Sequence, residues 1–531
     1  MNRRQFVSTI GAGAGLAVCG SGLARAGASQ PNLIVIVADD MGYSDIGCMG
    51  SEIQTPNLDR LAGEGMLFPN FYNASRCCPS RASLLTGLYP HQAGVGHMTE
   101  DQGKPAYQGY LNRQCVTIAE AVKPSGYRTM MCGKWHLTKK AGHLPNDRGF
   151  DEYFGVLDGS SNYFRPSTKS SLRRNTEPVE VGADFYTTDA FTAEGIQMIN
   201  RCDGPYFLYM AYNAPHWPLQ APPEDIAKYE DRYLSGWDKL REERYERMKQ
   251  MGIVKSEWPL SPRDRGTPPW NALDPHHKKK MARKMAVYAA MVDRMDQNIG
   301  KLIKAISDRG ELDNTMILFL SDNGACQEVL YTGFNWNPAY AWPWDTMGHE
   351  IGSPESFASY GRGWSNLGNT PFRLHKHWTN EGGISTPLIA HWPAMMGLKG
   401  TRSNEVGHII DVMATCLDAV GAPYPAEAGG EKITPLEGKS LLPVFRSGTR
   451  EGHDHIGWEH EGNRALRRGR YKLVSDYPGR WKLYDMEADR VELNDLSRKM
   501  PEKAKELADL WQAWADHCGV APWNPIRGLQ Y

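Results

Sequence analysis

No Cys-x-x-Cys pair occurs among the ten cysteines of this 531-residue sequence, which removes a common ligand spacing for structural zinc and the thioredoxin-type redox motif. Neither sign of charge is in excess: 60 Lys and Arg face 61 Asp and Glu. No global field therefore draws the chain to nucleic acid or an anionic membrane, and any anion must be bound locally. Beyond the amino terminus no stretch approaches about 18 uninterrupted apolar residues, so the mature protein is expected to be soluble. Internal repeats and low-complexity tracts are also missing. A chain of this size with 41% apolar residues can still bury a large core.

Residues 1–28 place Arg3, Arg4 and Phe6 before a weakly apolar, Gly/Ala-rich stretch that ends in small residues around Ala24–Ala26. This pattern predicts a twin-arginine signal, hence export by the twin-arginine machinery to the periplasm or medium. Lipid anchoring at Cys19 is disfavoured by the bulk of Val18 before it. The other cysteines apart from the adjacent pair Cys77-Cys78 read as buried small hydrophobes or an occasional disulfide. Adjacent cysteines bridge each other poorly in relaxed geometry, so that pair asks for another explanation.

The run 32–38 (NLIVIVA) lacks polar alternation, as expected of a parallel strand covered on both faces, and it stops on Asp39-Asp40. Thr55-Pro56-Asn57 opens a helix over 58–65. Apolar runs at 204–212, 315–320 and 386–391 interleave with helical patterns, the longest of them at 278–308. This order predicts an α/β fold with ligands at the carboxyl ends of parallel strands. Stretches 229–275 and 332–369 are expected to be irregular or helical insertions on the surface, the second carrying Trp336, Trp342, Trp344 and Trp364 as a cleft wall or as plain loop packing. From about 451 to 531, strand-like pieces at 455–459, 463–474 and 481–486 and a helix over 501–518 predict a small α+β subdomain, leaving 29–450 as the main body.

Two clusters of oxygen donors follow predicted strands, Asp39-Asp40 and Ser321-Asp322-Asn323-Gly324. Gathered from separate strand ends, they suit a hard cation such as Ca²⁺ or Mg²⁺ better than zinc. A third cluster is Cys77-Cys78-Pro79-Ser80-Arg81-Ala82-Ser83-Leu84-Leu85-Thr86-Gly87, which resembles the sulfatase family signature C-x-P-S-R-x-x-x-L-T-G. Only Cys77 has proline two places on and arginine four places on. The resemblance extends to Gly133-Lys134-Trp135-His136, Asn213-Ala214-Pro215-His216 and Lys376 five residues before Glu381-Gly382-Gly383. It covers about 32–393, with 458–473 similar to the family's C-terminal part, and bacterial arylsulfatases are the members it resembles most.

That resemblance implies an alkaline-phosphatase-like fold, a large mixed, mostly parallel sheet sandwiched by helices. It implies that Cys77 is oxidised to formylglycine (3-oxoalanine) by a formylglycine-generating enzyme, and that one Ca²⁺ is held by Asp39, Asp40, Asp322, Asn323 and residue 77. The hydrated aldehyde would attack the sulfur of an aryl or carbohydrate sulfate ester, with Asp322 taking its proton. Lys134, Lys376 and Arg81 would supply positive charge, His216 the proton for the leaving oxygen, and His136 the base for sulfate release. His97, Trp217, His375 and His377 are pocket candidates by proximity in sequence, with packing as the alternative. Ser385 and Asn380 depart from the family pattern at positions expected to bear on substrate preference. Two other readings stay open: a phosphonate or phosphate monoester hydrolase on the same scaffold, and an inactive protein that binds sulfated glycans.

Overall fold

The computed structural model describes residues 30–167, 172–329 and 348–523; the expected signal at 1–28 and Trp336, Trp342 and Trp344 lie outside them. Its centre is the strand Asn32–Ala38, flanked in parallel by Thr315–Ser321 and Tyr206–Ala211, with Arg128–Lys134 and Glu152–Val156 continuing the parallel set. Leu388–His391 pairs antiparallel to Thr315–Ser321, and short edge strands extend a ten-stranded mixed sheet. The absence of alternation in 32–38 is explained by two cores. Ile34, Ile36 and Ala38 face one that includes the helices Thr187–Asn200 and Pro275–Asp308. Leu33, Val35 and Val37 face another that includes Cys77–Thr86, Ile118–Val122 and Asp411–Val420. The long helix starts three residues earlier than its apolar pattern suggests, because Pro275 occupies the first turn and the Asp274 side chain accepts from the His277 N–H.

Residues 229–275 are partly helical, as expected, but part of the stretch is buried rather than at the surface. They carry the helix Trp237–Gln250, and Trp237, Trp270 and Trp364 pack with ring centroids 4.7–5.5 Å apart, Trp364 donating its indole N–H to the Met281 carbonyl. Trp364 is thus a packing residue. The high charge of the stretch hid its burial, because Arg244 is fully buried yet paired with Asp45 (2.6 Å) and Glu52 (2.7 Å). That pairing braces the loop that follows Asp39-Asp40.

At the carboxyl end, Ile456–His460, Asn463–Arg468, Tyr471–Ser475 and Lys482–Asp485 form an antiparallel sheet in chain order, against which the helix Pro501–Cys518 packs. The single piece expected over 463–474 is split by a turn in which Gly469 adopts φ +56°. Buried Lys472 bridges Glu381 of the main body and Glu492, both at 2.8 Å. Arg490 adds a 2.8 Å pair to Glu381. Asn380 and Ser385 join this network, through Glu492 and Arg490 respectively, and so tie the two parts of the chain together. The nine cysteines among the described residues are free thiols. No helix among the described residues is long and apolar enough to cross a membrane.

Candidate active site

Parallel register brings four strand ends to one edge of the sheet. Ala38 is level with Ser321, so Asp39-Asp40 and Asp322-Asn323 emerge side by side. The neighbouring strands Tyr206–Ala211 and Arg128–Lys134 deliver Asn213–His216 and Lys134–His136 to the same edge. Gly133 is required there: at φ +110° a Cβ would lie 1.9 Å from the Ala211 carbonyl oxygen. A similar approach fixes the Glu381-Gly382-Gly383 turn, where a Cβ on Gly324 would lie 1.9 Å from the Gly382 oxygen. Non-glycine residues also take left-handed conformations around this edge, among them Asp40 (φ 66°), Ser75 (64°), His136 (47°) and His377 (88°). Strain of this kind persists only where surrounding contacts hold it.

Cys77 begins the helix Cys77–Thr86, and the side chain of the N-cap residue Arg76 makes no capping bond. First-turn N–H groups and the positive end of the helix dipole therefore face residue 77. A hydrogen bond from Cys78 holds the Cys77 thiol well below its usual range against burial, helped by the charges of His136, Lys134 and Lys376. The environment of residue 77 thus favours an anion. Cys78 itself points to His136, with Sγ 3.3 Å from Nε2.

Three buried carboxylates face three buried cations. Lys134 Nζ lies 2.5 Å from Asp39, and Lys376 Nζ lies 2.9 Å from Asp40. Arg81 donates to Asp322 through Nε (3.0 Å) and Nη2 (2.8 Å) and to the Lys134 carbonyl. The guanidinium is thus directed at Asp322 and the main chain, where it positions and balances charge. Burial pushes Asp39 up to about 6 against the pull of Lys134, and burial with the charge of Asp39 pushes Asp322 up to about 7 against Arg81. Asp40 behaves in the opposite way: burial opposes ionisation, but Lys376 and His216 outweigh it and hold the carboxyl below its usual range. His216 lies 3.3 Å from Asp40 through Nε2, and its Nδ1 lies 2.6 Å from the Trp217 carbonyl. Burial lowers His216 to about 4 in this substrate-free site, despite Asp40.

The donor set fits a hard cation. Asp39 Oδ1 and Asn323 Oδ1 are buried with no hydrogen-bond partner, and Asp39, Asp40, Asp322 and Asn323 are each at most 1% exposed. Orphaned oxygens among crowded carboxylates suit an oxygen-liganded cation.

All ten candidates named from the sequence, Asp39, Asp40, Cys77, Arg81, Lys134, His136, His216, Asp322, Asn323 and Lys376, meet at this edge. Of the pocket candidates, Trp217 stays here, its indole N–H donating to Glu328 at 2.8 Å. His375 packs between Ser365 and Asp264. His97 and His377 both reach Glu461. Sequence reasoning missed Glu328, which pairs with Arg76 at 3.0 Å and lies 3.8 Å from Lys376. Its only local signal is its place in the loop after Ser321–Gly324.

Comparison with known proteins agrees with this geometry. A family model described as Sulfatase matches residues 31–422, and one described as N-sulphoglucosamine sulphohydrolase, C-terminal, matches 372–515. An uncharacterized sulfatase of Schizosaccharomyces pombe is 37% identical over 529 residues, spanning 93% of this chain and 95% of its own. An arylsulfatase of Klebsiella aerogenes is 34% identical over 464 residues, spanning 84% of this chain and 97% of its own. The crystal structure of Ps i-CgsB matches with TM-score 0.67 at 27% identity, covering 92% of this chain and 93% of that one. A second structure holds Ps i-CgsB in complex with k-i-k-neocarrahexaose.

Proposed function

Because this chain belongs to the sulfatase family and is a sulfuric ester hydrolase, we propose that it cleaves aryl or carbohydrate sulfate monoesters with residue 77, converted from cysteine to formylglycine, as its nucleophile. The observation that carries this reading is the position of Cys77 at an uncapped helix start, with Lys134, His136 and His216 converging on it from other strand ends and Lys376 from the turn before the helix Glu381–Ile384. A sulfate ester is shielded by its own negative oxygens, and these ammonium groups supply the compensating charge. Asp39, Asp40, Asp322, Asn323 and an oxygen of residue 77 would hold one Ca²⁺, which would supply Lewis acidity and a fixed orientation for the ester.

The residues divide the proton work. One hydroxyl of the hydrated aldehyde forms a bond to sulfur, its proton passing to Asp322, as the bond from sulfur to the leaving oxygen breaks. His216 donates a proton to that oxygen. His136 then removes the proton of the second hydroxyl, the aldehyde re-forms, sulfate departs and water hydrates the aldehyde again. A thiol lacks that second hydroxyl, so cysteine in the same place would remain sulfated. His216 must be protonated to act, and the negative charge of a bound ester raises its affinity for a proton above that of the substrate-free site. Export through the pattern at Arg3-Arg4 is part of the same reading. The likeness to Ps i-CgsB, crystallised with a neocarrahexaose, supports including carbohydrate sulfates among the substrates.

Initial rates on paired sulfate and phosphate esters of the same alcohols test the reading, with sulfate expected to be turned over faster. Faster phosphate or phosphonate turnover would overturn it, as would no turnover by protein whose residue 77 is shown to be the aldehyde. His216→Ala is expected to lose about 10²- to 10⁴-fold in kcat on alkyl or sugar sulfates and much less on 4-nitrophenyl sulfate, because nitrophenolate leaves without a proton. Equal losses on both would remove His216 from the acid role.

A further inference from the structure

Beyond the sulfate site, three histidines and one carboxylate gather where the catalytic body meets the C-terminal sheet. His377 follows Lys376 in the main body, while His460 and Glu461 sit at the turn between Ile456–His460 and Asn463–Arg468. One ligand atom from each of His377, His460 and Glu461 lies within 4.8 Å of the others. His377 Nδ1 is 2.9 Å from Glu461 Oε2, and His460 Nε2 is 3.6 Å from Glu461 Oε1. His97 adds an outer contact, its Nε2 lying 2.9 Å from Glu461 Oε1 while Gln102 donates to its Nδ1 at 2.8 Å.

His460 supplies an independent sign of a ligand. Its side chain is fully buried, yet neither ring nitrogen has a hydrogen-bond partner. An imidazole always carries at least one N–H, and in its neutral form one lone pair as well, so burying both nitrogens unmatched is unfavourable unless something fills the gap. Two of the three ligand residues also hold strained backbone, His377 at φ 88° and Glu461 at φ 50°.

We propose that His377, His460 and Glu461 form a site for a transition-metal dication of the Zn²⁺ class, with His97 orienting the Glu461 carboxylate from the outer shell. Two imidazoles and one carboxylate suit zinc and poorly suit calcium, which takes six to eight oxygens. Three protein ligands leave a fourth position for water or a substrate group. Coordination through His377 Nδ1 moves that ring's proton to Nε2. The ion clamps the C-terminal hairpin onto the segment that carries Lys376.

The test uses full-length matured protein, stripped with chelator, reloaded with excess Ca²⁺ and titrated with Zn²⁺ by calorimetry, with bound zinc counted by mass spectrometry. A Cys78→Ala background removes competing binding by Cys78 and His136. One zinc per chain is expected, with a rise in Tm on binding. His97→Gln is expected to weaken zinc by about 10- to 100-fold, the usual cost of losing an outer-shell partner, and His377→Ala or Glu461→Gln by more. Glu461→Gln is isosteric, so it keeps the test valid if His377→Ala folds poorly. Co²⁺ at the site should show the visible absorption of a four-coordinate ion, lost in Glu461→Gln. No zinc retained, or equal retention in both ligand variants, overturns the proposal. Because Ca²⁺ stays bound and the readout is zinc, failure here leaves the sulfatase reading untouched.

Discussion

Cys77→Ala is expected to reduce sulfate release by about 10⁴- to 10⁶-fold, the range seen when a covalent nucleophile is removed from an otherwise intact site. The side chain is small and only 2% exposed, and its helix is anchored by Leu84 and Leu85 in the core, so the fold should survive the loss of one sulfur atom. Circular dichroism and the thermal midpoint would separate the two effects. Cys78→Ala makes the informative contrast. It keeps Pro79 and Arg81 two and four places after Cys77, so conversion of residue 77 should continue. It removes the thiol that lies beside His136 and that bonds to the Cys77 thiol before conversion. Mass spectrometry of the peptide spanning residue 77 reads the conversion directly, since replacing the thiol by an aldehyde lowers the mass. Active material that contains only cysteine at 77 would falsify the formylglycine mechanism.

Chelation is the second large effect expected. Removing the cation should abolish turnover, and Ca²⁺ alone should restore it. Three carboxylates packed at one strand edge repel one another, and two of them are pushed towards neutral pKa values by burial even with lysine and arginine beside them. A dication between them relieves that repulsion, and at a hundredfold excess over Kd its binding adds about 2.7 kcal/mol of stability. The thermal midpoint should therefore rise with Ca²⁺. Asp322→Asn should weaken the response and remove the negative charge 2.8 Å from the Arg81 guanidinium. Full activity in stripped protein, or recovery with zinc but not calcium, would remove Ca²⁺ from the mechanism.

The ten candidate residues that meet at one sheet edge were legible because each sits in a short motif, and the strand Asn32–Ala38 because its apolar run is local. What misled was composition. Charge in 229–275 read as surface, although Arg244 is buried and neutralised by Asp45 and Glu52, some 190 to 200 positions away in the chain. The indole of Trp364 read as a possible cleft wall and proved to be core.

By itself, the sequence determined the sulfatase motifs, the candidate residues they contain, the central strand and the spacing that singles out Cys77 over Cys78. Tertiary structure alone decided the pairings: Lys134 with Asp39, Lys376 with Asp40, Arg81 with Asp322, Glu328 with Arg76, and Glu461 among three histidines. The reason is physical. Periodicity and motif spacing report neighbours along the chain, whereas a buried charge is stabilised by whatever the fold sets a few ångströms away. For Asp40 and Lys376 that partner lies 336 residues distant.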